Sequence, residues 1–288
     1  MKRIVPFLLS LVLLVTSGLT PALAEMTKCT AIPTVPFTIT VPGAYCLTRS
    51  FFTPITTGSA ITINSNWVVL DLNGFILYGT AGKGTNAYGI KVEKKQNVTV
   101  RNGIVRGFYV GVYFDDNSPY ITSRANVIEE IRADQNTYVG IHTKGMGNVI
   151  RNNIVSGTGG TTVTTGDGAT MGIGAQGTSA RVLGNEVMDV ASTGAYAGVG
   201  IVLMDGRNCI VADNRVSNIT AASGQYAVGI ALSSNLSNVV VTDNRLSGMK
   251  DGIYFGGTPV ATGTYMNNLV RNATFNYTGG TAAGATNY

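Results

Sequence analysis

Apolar and polar residues alternate over short stretches of this chain, and the stretches recur. In Asn97-Val-Thr-Val-Arg-Asn-Gly-Ile-Val105, the apolar Val98, Val100 and Ile104 alternate with Thr99 and Arg101. A period of two puts successive side chains on opposite faces of a strand. A second stretch, Val110-Gly-Val-Tyr-Phe-Asp115, turns on Gly111 and continues Val112, Tyr113, Phe114. This two-part unit repeats to the end of the chain. Asparagine marks the first part at Asn73, Asn102, Asn152, Asn185, Asn214, Asn244 and Asn272, with Glu129 in the one gap and Asn153 competing with Asn152 for its place. Glycine followed by Ile or Val marks the second at Gly89, Gly111, Gly140, Gly172, Gly200, Gly229 and Gly252.

Units of 23 to 33 residues are too short to bury an apolar face alone, so they must stack. The strands are short, Val/Ile-rich and bounded by Gly, Asn, Ser and Thr, and no segment keeps a helical period. The pattern predicts an all-β solenoid of about seven to eight coils, with equivalent residues about 4.8 Å apart in parallel sheets. The glycine is expected to supply a backbone conformation that a Cβ would forbid. The asparagines are expected to stack as an amide ladder inside a bend.

The ends read differently. Lys2 and Arg3 precede the apolar run Ile4 to Val15, and Pro21-Ala-Leu-Ala24 offers small residues before Glu25. That predicts a secretory signal peptide over 1–24, the run being short for a membrane anchor. Residues 25–57 hold half of the eight prolines and match no later coil, so they are expected to cap the solenoid. Trp67 is expected to pack against this cap. Cys29 and Cys46 lie close enough to staple it in an oxidising compartment, secreted, periplasmic or at the cell surface. Cys209 falls where Val239 falls one coil later and is expected to be a buried free thiol. The β-helix is expected over 58–262, with 263–288 a C-terminal cap or tail.

Net charge is +5, falling to +3 once Lys2 and Arg3 leave, with no basic run. This excludes a nucleic-acid footprint and admits acidic glycans. No Cys/His cluster has metal spacing, so neither metal nor cofactor is expected. No stretch after the leader is long enough to span a membrane. Oligomeric state is not encoded in the pattern.

Cys29 … Pro42-Gly-Ala-Tyr-Cys46-Leu47, followed by Ile61-Thr-Ile63, Val69-Leu-Asp-Leu-Asn-Gly74 and Val98-Thr-Val-Arg-Asn-Gly103, resembles secreted bacterial proteins of the pectin-lyase-like superfamily. The resemblance implies a right-handed parallel β-helix. It does not imply one activity, because that fold carries lyases, hydrolases, epimerases, phage tailspikes and surface proteins without known activity. Mannuronan epimerases have Tyr-Gly-Phe-Asp-Pro-His; here Tyr88-Gly89-Ile90 keeps the start and Lys91, Val92 and Glu93 replace the rest. Asp115-Asp116 is similar to the paired aspartates of polygalacturonases, but their Gly-His-Gly and Arg-Ile-Lys motifs are absent. The pectate lyase Asp-His and calcium-aspartate cluster is not visible either.

The resemblance also implies a cleft along the Gly-Ile strands. If Ile or Val after each glycine points inward, the outward pairs are Lys91/Glu93, Tyr113/Asp115, His142/Lys144, Gly174/Gln176, Val202/Met204, Ala231/Ser233 and Tyr254/Gly256. Polar groups gather on three adjacent coils. Proton abstraction beside a sugar carboxylate needs a base, an acid and a cation. His142, the only histidine, or Tyr113 is the candidate base or acid. Lys91 or Lys144 would face the carboxylate, and Asp115 would orient His142 or hold Lys144. Tyr109, Tyr138, Glu93 and Gln176 are candidate substrate contacts, and Gly174 would leave space beside His142. The bland alternative is a solvated polar face whose charges pair across the sheet. Tyr88, Tyr109, Tyr138, Tyr196 and Tyr226 precede most of these strands, as sugar platforms or as corner packing. The loop Ser156 to Met171, with Asp167, is a candidate groove wall. Asp213-Asn-Arg215 and Asp243-Asn-Arg245 should stack, with the arginines neutralising the carboxylates. The expected function is a carbohydrate-engaging protein with lyase or epimerase chemistry on uronate glycans. The competing expectation is a non-catalytic surface, adhesive or structural β-helix.

Overall fold

The computed structural model describes residues 28–163, 169–193 and 197–283. The leader expected over 1–24 lies outside them, as do Asp167 and Tyr196. Every regular element described is a strand, and the strands pair in parallel as a solenoid of about eight turns. No described helix is long and apolar enough to cross a membrane.

Three sheets run along the solenoid. The front sheet holds Ser59–Ile63, Tyr88–Glu93, Val110–Asp115, Val139–Lys144, Thr170–Gln176, Gly198–Met204 and Ala227–Leu232. The other two sheets share long strands such as Thr99–Arg106 and Val127–Asp134. In the next coil these divide into Val149–Arg151 and Ile154–Ser156. Each ladder step is one coil: Val112 lies against Ile90 and Ile141, Ile141 against Ile173, and Ile173 against Ile201. These side chains are sealed from solvent, and each contributes about 1.5–3 kcal/mol by burial.

The front-sheet glycines are there for room, not for an unusual backbone conformation. None of the seven has a positive φ. Instead, a Cβ on Gly140 would stand 2.4 Å from Val155 Cγ1 and 2.7 Å from the Gly172 carbonyl oxygen. Gly172 and Gly200 meet Val187 and Val216 at the same distance. The front strand touches the inner face of the third sheet at this seam, and only hydrogen fits.

The amide ladder includes three of the expected asparagines, Asn185, Asn214 and Asn244, while the other expected positions lie off it. Asn153, Asn185, Asn214, Asn244 and Asn268 carry it, each Nδ2 donating to the next Oδ1 at 2.9–3.0 Å. The same oxygen also accepts the backbone N–H of the preceding rung. Asn126 and Asn148 form a second, shorter ladder. Asn73, Asn102 and Asn152 sit one residue earlier in the turn, with φ of 48°, 57° and 55°, and Glu130 rather than Glu129 completes that row at 55°. Asn272 belongs to a different turn, level with Gly248. Asparagine tolerates left-handed φ and also makes good rungs, so two adjacent rows compete for the same letter.

The ends are more regular than expected. Within 25–57, Phe37–Ile39, Gly43–Cys46 and Phe51–Phe52 pair with Ser59–Ile63, Val68–Asp71 and Ile76–Tyr78, so this segment supplies a coil of its own. Thr30–Ala31 adds beneath it, and the Cys29–Cys46 disulfide, with Cα atoms 5.7 Å apart, closes that edge. At the other end, pairing continues past Gly263 as far as Ala282. Trp67 meets the N-terminal segment through its backbone, its carbonyl accepting the Gly43 N–H, and its side chain is mostly outside. It is 66% exposed at a left-handed turn, φ 58°, where the side chain points to water. Cys209 is buried and free, one coil below Val239.

Asn214→Ala should therefore cost about 2–4 kcal/mol in urea denaturation, because it strands buried groups on Asn185 and Val182. Asn152→Gly, at the left-handed position one residue before a rung, should change stability by less than about 1 kcal/mol. Equal losses for the two would contradict the ladder assignment.

Candidate functional site

The strand period delivers the expected residues to the outer face of the front sheet. Lys91, Tyr113, His142 and Gly174 lie on successive rungs of one row. Glu93 is beside Asp115, and Lys144 beside Gln176, in the next row. Val92, Phe114 and Thr143 point inward and are buried.

Asp115 is the hub of the strip. It accepts a hydrogen bond from Tyr113 Oη at 2.7 Å and an ion pair from Lys144 Nζ at 3.1 Å. Lys91 pairs with Glu93 at 3.3 Å. Burial alone would raise the Asp115 carboxyl, but the hydrogen bonds from Tyr113 and Lys144, with the charges of Lys144 and Lys91, hold it below the usual range. Burial and then the bond to Asp115 push the Tyr113 phenol far above its ordinary value, so it stays protonated. Of the two roles considered for Asp115, the geometry contains the contact with Lys144.

His142 tucks its ring over Gly174. A Cβ there would stand 2.9 Å from His142 Cδ2, so the space expected beside the ring is filled by the ring itself. Its other flank meets Tyr113, with centroids 5.4 Å apart. The residue is half-buried on the outer face, yet Nε2 is sealed and has no hydrogen-bond partner. Burial, reinforced by the nearby Lys144 charge and opposed by Asp115, pushes the imidazole down to about 4. It is therefore neutral at pH 7, with a nitrogen able to accept a proton once uncovered.

Aromatic contacts extend from the strip. Tyr88 stacks on Tyr113 at 5.3 Å and meets Tyr109 edge-on, while Tyr109 and Tyr138 stack at 4.8 Å. Lys91 and Lys144 lie over Tyr88 and Tyr113. On the Tyr138 side, residues 157–163 begin the long loop, Thr161 N–H bonding the Thr137 carbonyl. The opposite side carries a feature that periodicity cannot reveal. Asp116 is buried and accepts the backbone N–H groups of Asn117, Thr122 and Ser123, which fixes an outward loop. Tyr120 reaches from that loop over two coils, and its hydroxyl accepts from Gln176 Nε2 at 2.8 Å. Gln176 also bonds Asp205. Asp116 is thus an anchor for a wall and does not act as a partner carboxylate to Asp115; the Asp-Asn-Ser-Pro run was the sequence signal for that turn.

Other candidates stand apart. Arg215 and Arg245 stack as expected, but no described ion pair joins them to Asp213 or Asp243. Among the described residues no three His, Cys, Asp or Glu side chains converge on a metal position.

The lone histidine makes the site easy to follow. Its folded pKa lies below the ordinary 6.5, so the unfolded chain holds a proton that the folded chain releases. His142 should therefore withdraw stability as pH falls from about 6.5 towards 4, and its single imidazole resonance should titrate near 4 in proton NMR. A midpoint near 6.5 would mean an open ring.

Comparison with solved structures gives likeness of fold. The alginate lyase from Paenibacillus sp. str. FPU-7 has a TM-score of 0.55 at 17% identity, covering 85% of this chain and 87% of that one. A double mutant of the periplasmic alginate epimerase AlgG has a TM-score of 0.53 at 12% identity, covering 86% and 68%. The Dettilon tailspike protein (gp208) has a TM-score of 0.59 at 11% identity, covering 84% of this chain and 46% of its own, so the chain spans less than half of that tailspike. No curated protein matches by sequence. The family described as "Right handed beta helix region" matches residues 88–287. With most of its length carrying that pattern and its coils stacked in parallel, the chain belongs to the right-handed β-helix family.

Proposed function

We propose that this protein is exported and binds a uronate-containing polysaccharide along the front sheet, where it acts as a lyase or epimerase. The observation that carries this reading is the strip itself: a neutral imidazole, a protonated phenol and two lysines lie on three consecutive coils. The disulfide supports export. The alginate lyase and alginate epimerase among the structural neighbours make such a substrate reasonable on this fold.

In this reading Lys91 or Lys144 faces the uronate carboxylate and stabilises the negative charge that develops when C5 loses its proton. His142 Nε2 accepts that proton. A pKa near 4 makes a weak base at neutral pH, but a bound uronate anion beside the ring would raise it towards the useful range. In this reading Tyr113, held protonated against Asp115, is the acid that donates to the departing glycosidic oxygen. Tyr109 and Tyr138 offer stacking faces, and Glu93 and Gln176 offer hydroxyl contacts.

A second reading has one specific observation behind it. Both lysines are already paired and His142 Nε2 is covered, as a non-catalytic surface protein would leave them. A panel of uronate polysaccharides followed by ultraviolet absorbance separates the two. A lyase should release an unsaturated product, and His142→Ala should lower turnover at least 100-fold without altering the β circular dichroism spectrum. Proton exchange at C5 without the absorbance would identify an epimerase. Binding with neither signal would establish the non-catalytic reading.

A further inference from the structure

The front sheet changes character along its length. The polar strip ends at Gln176. Beyond it the same two outward rows continue as Val202 and Met204, then Ala231 and Ser233, then Tyr254. A third outward row, just before the glycine seam, runs Met171, Val199, Val228 and ends on Asp251. All of these except Asp251 line a cleft of about 350 Å³, with Tyr226 on its rim. It opens on the same face as His142, and Val202 lies two coils further on, about 10 Å at the usual strand spacing.

We infer that this cleft takes an apolar ester substituent, an O-acyl group, carried by the polysaccharide whose uronate units occupy the polar strip. The inference rests on the function proposed above and narrows its substrate to an esterified polyuronate. Three observations choose this occupant. The cleft is continuous with the strip, so one extended chain can lie over both. Its lining is almost free of hydrogen-bonding side chains, Ser233 and the tyrosine hydroxyls excepted, so a bare sugar ring would leave several hydroxyls unsatisfied there, at a cost of about 1–3 kcal/mol each. Its floor is already sealed within the chain: Val199, Val202 and Val228 are only 4–6% exposed. A protein partner needs about 800 Å² from each side, which a sealed floor cannot offer, whereas a small apolar group needs only the concavity.

The test uses the full exported chain and two probes, an O-acetylated polyuronate and the same polymer after mild alkaline de-esterification. Calorimetric titration should give at least tenfold tighter binding to the acetylated form. Met204→Gln and Ala231→Gln, both at half-buried outer positions, should bring that ratio close to one. Equal affinities in the wild type would overturn the inference while leaving the proposed function standing, as would a preference that survives both substitutions in folded variants. Failure to bind either polymer would overturn both. If sedimentation finds a dimer that Met204→Gln dissociates, and no ester preference accompanies it, the occupant is a second copy of this chain and the inference falls.

Discussion

A buried amide has no water to turn to, and that constraint sets the geometry of the whole molecule. Each inner ladder asparagine satisfies its side chain by meeting the amide one coil away and the backbone carbonyls beside it. A coil that slipped by one residue would break several such bonds at once and reverse every side chain in its strands. The ladder therefore locks the register, and the register decides that His142 lies outside while Thr143 lies inside. The glycine seam acts with it from another corner. It lets the front sheet approach the third sheet until no Cβ fits, which brings the inner Ile and Val rows together.

On this rigid floor the site is an arrangement of rows. Charges one coil apart sit near enough to pair, which is why Asp115 holds Lys144, while the strand period of two brings it Tyr113 from its own strand. Burial, with these neighbouring groups behind it, raises the phenol and lowers the imidazole, so a phenol kept protonated and an imidazole kept neutral share one small surface. Groups pushed apart in this way mark candidate acid and base roles, although ion pairing on a sheet produces such shifts without catalysis.

The front rows were legible because glycine marks their start and a period of two does the rest. From Lys91 to Lys144 the outward side chains followed by counting alone. The ladder was legible at Asn185, Asn214 and Asn244 but misplaced by one residue at Asn152, because Asn152 and Asn153 satisfy two different demands of one turn, left-handed φ and amide stacking, with the same residue type. The N-terminal coil was missed because its prolines and short strands lack both markers, although Ile39 and Tyr45 supply the buried residues a coil needs. Tyr120 was beyond reach for another reason. A side chain that crosses two coils follows from where a loop folds, and repeats carry no record of that. The sealing of His142 depends on which way its ring turns, which composition does not specify.

Ladder positions in consecutive coils are separated by 32 residues between Asn153 and Asn185, but by 24 between Asn244 and Asn268, and both intervals climb one rung. Height per coil is fixed by hydrogen bonding, whereas the length of chain spent on the circumference is not. The two loops beside the strip are where the surplus is stored. Mutation can therefore lengthen, shorten or re-anchor a flank of the groove without moving an atom of its floor. In such a molecule the walls and the floor of the groove are separately inheritable: insertion and deletion at the corners reshape the flanks, while the rows between them pass unchanged from one variant to the next.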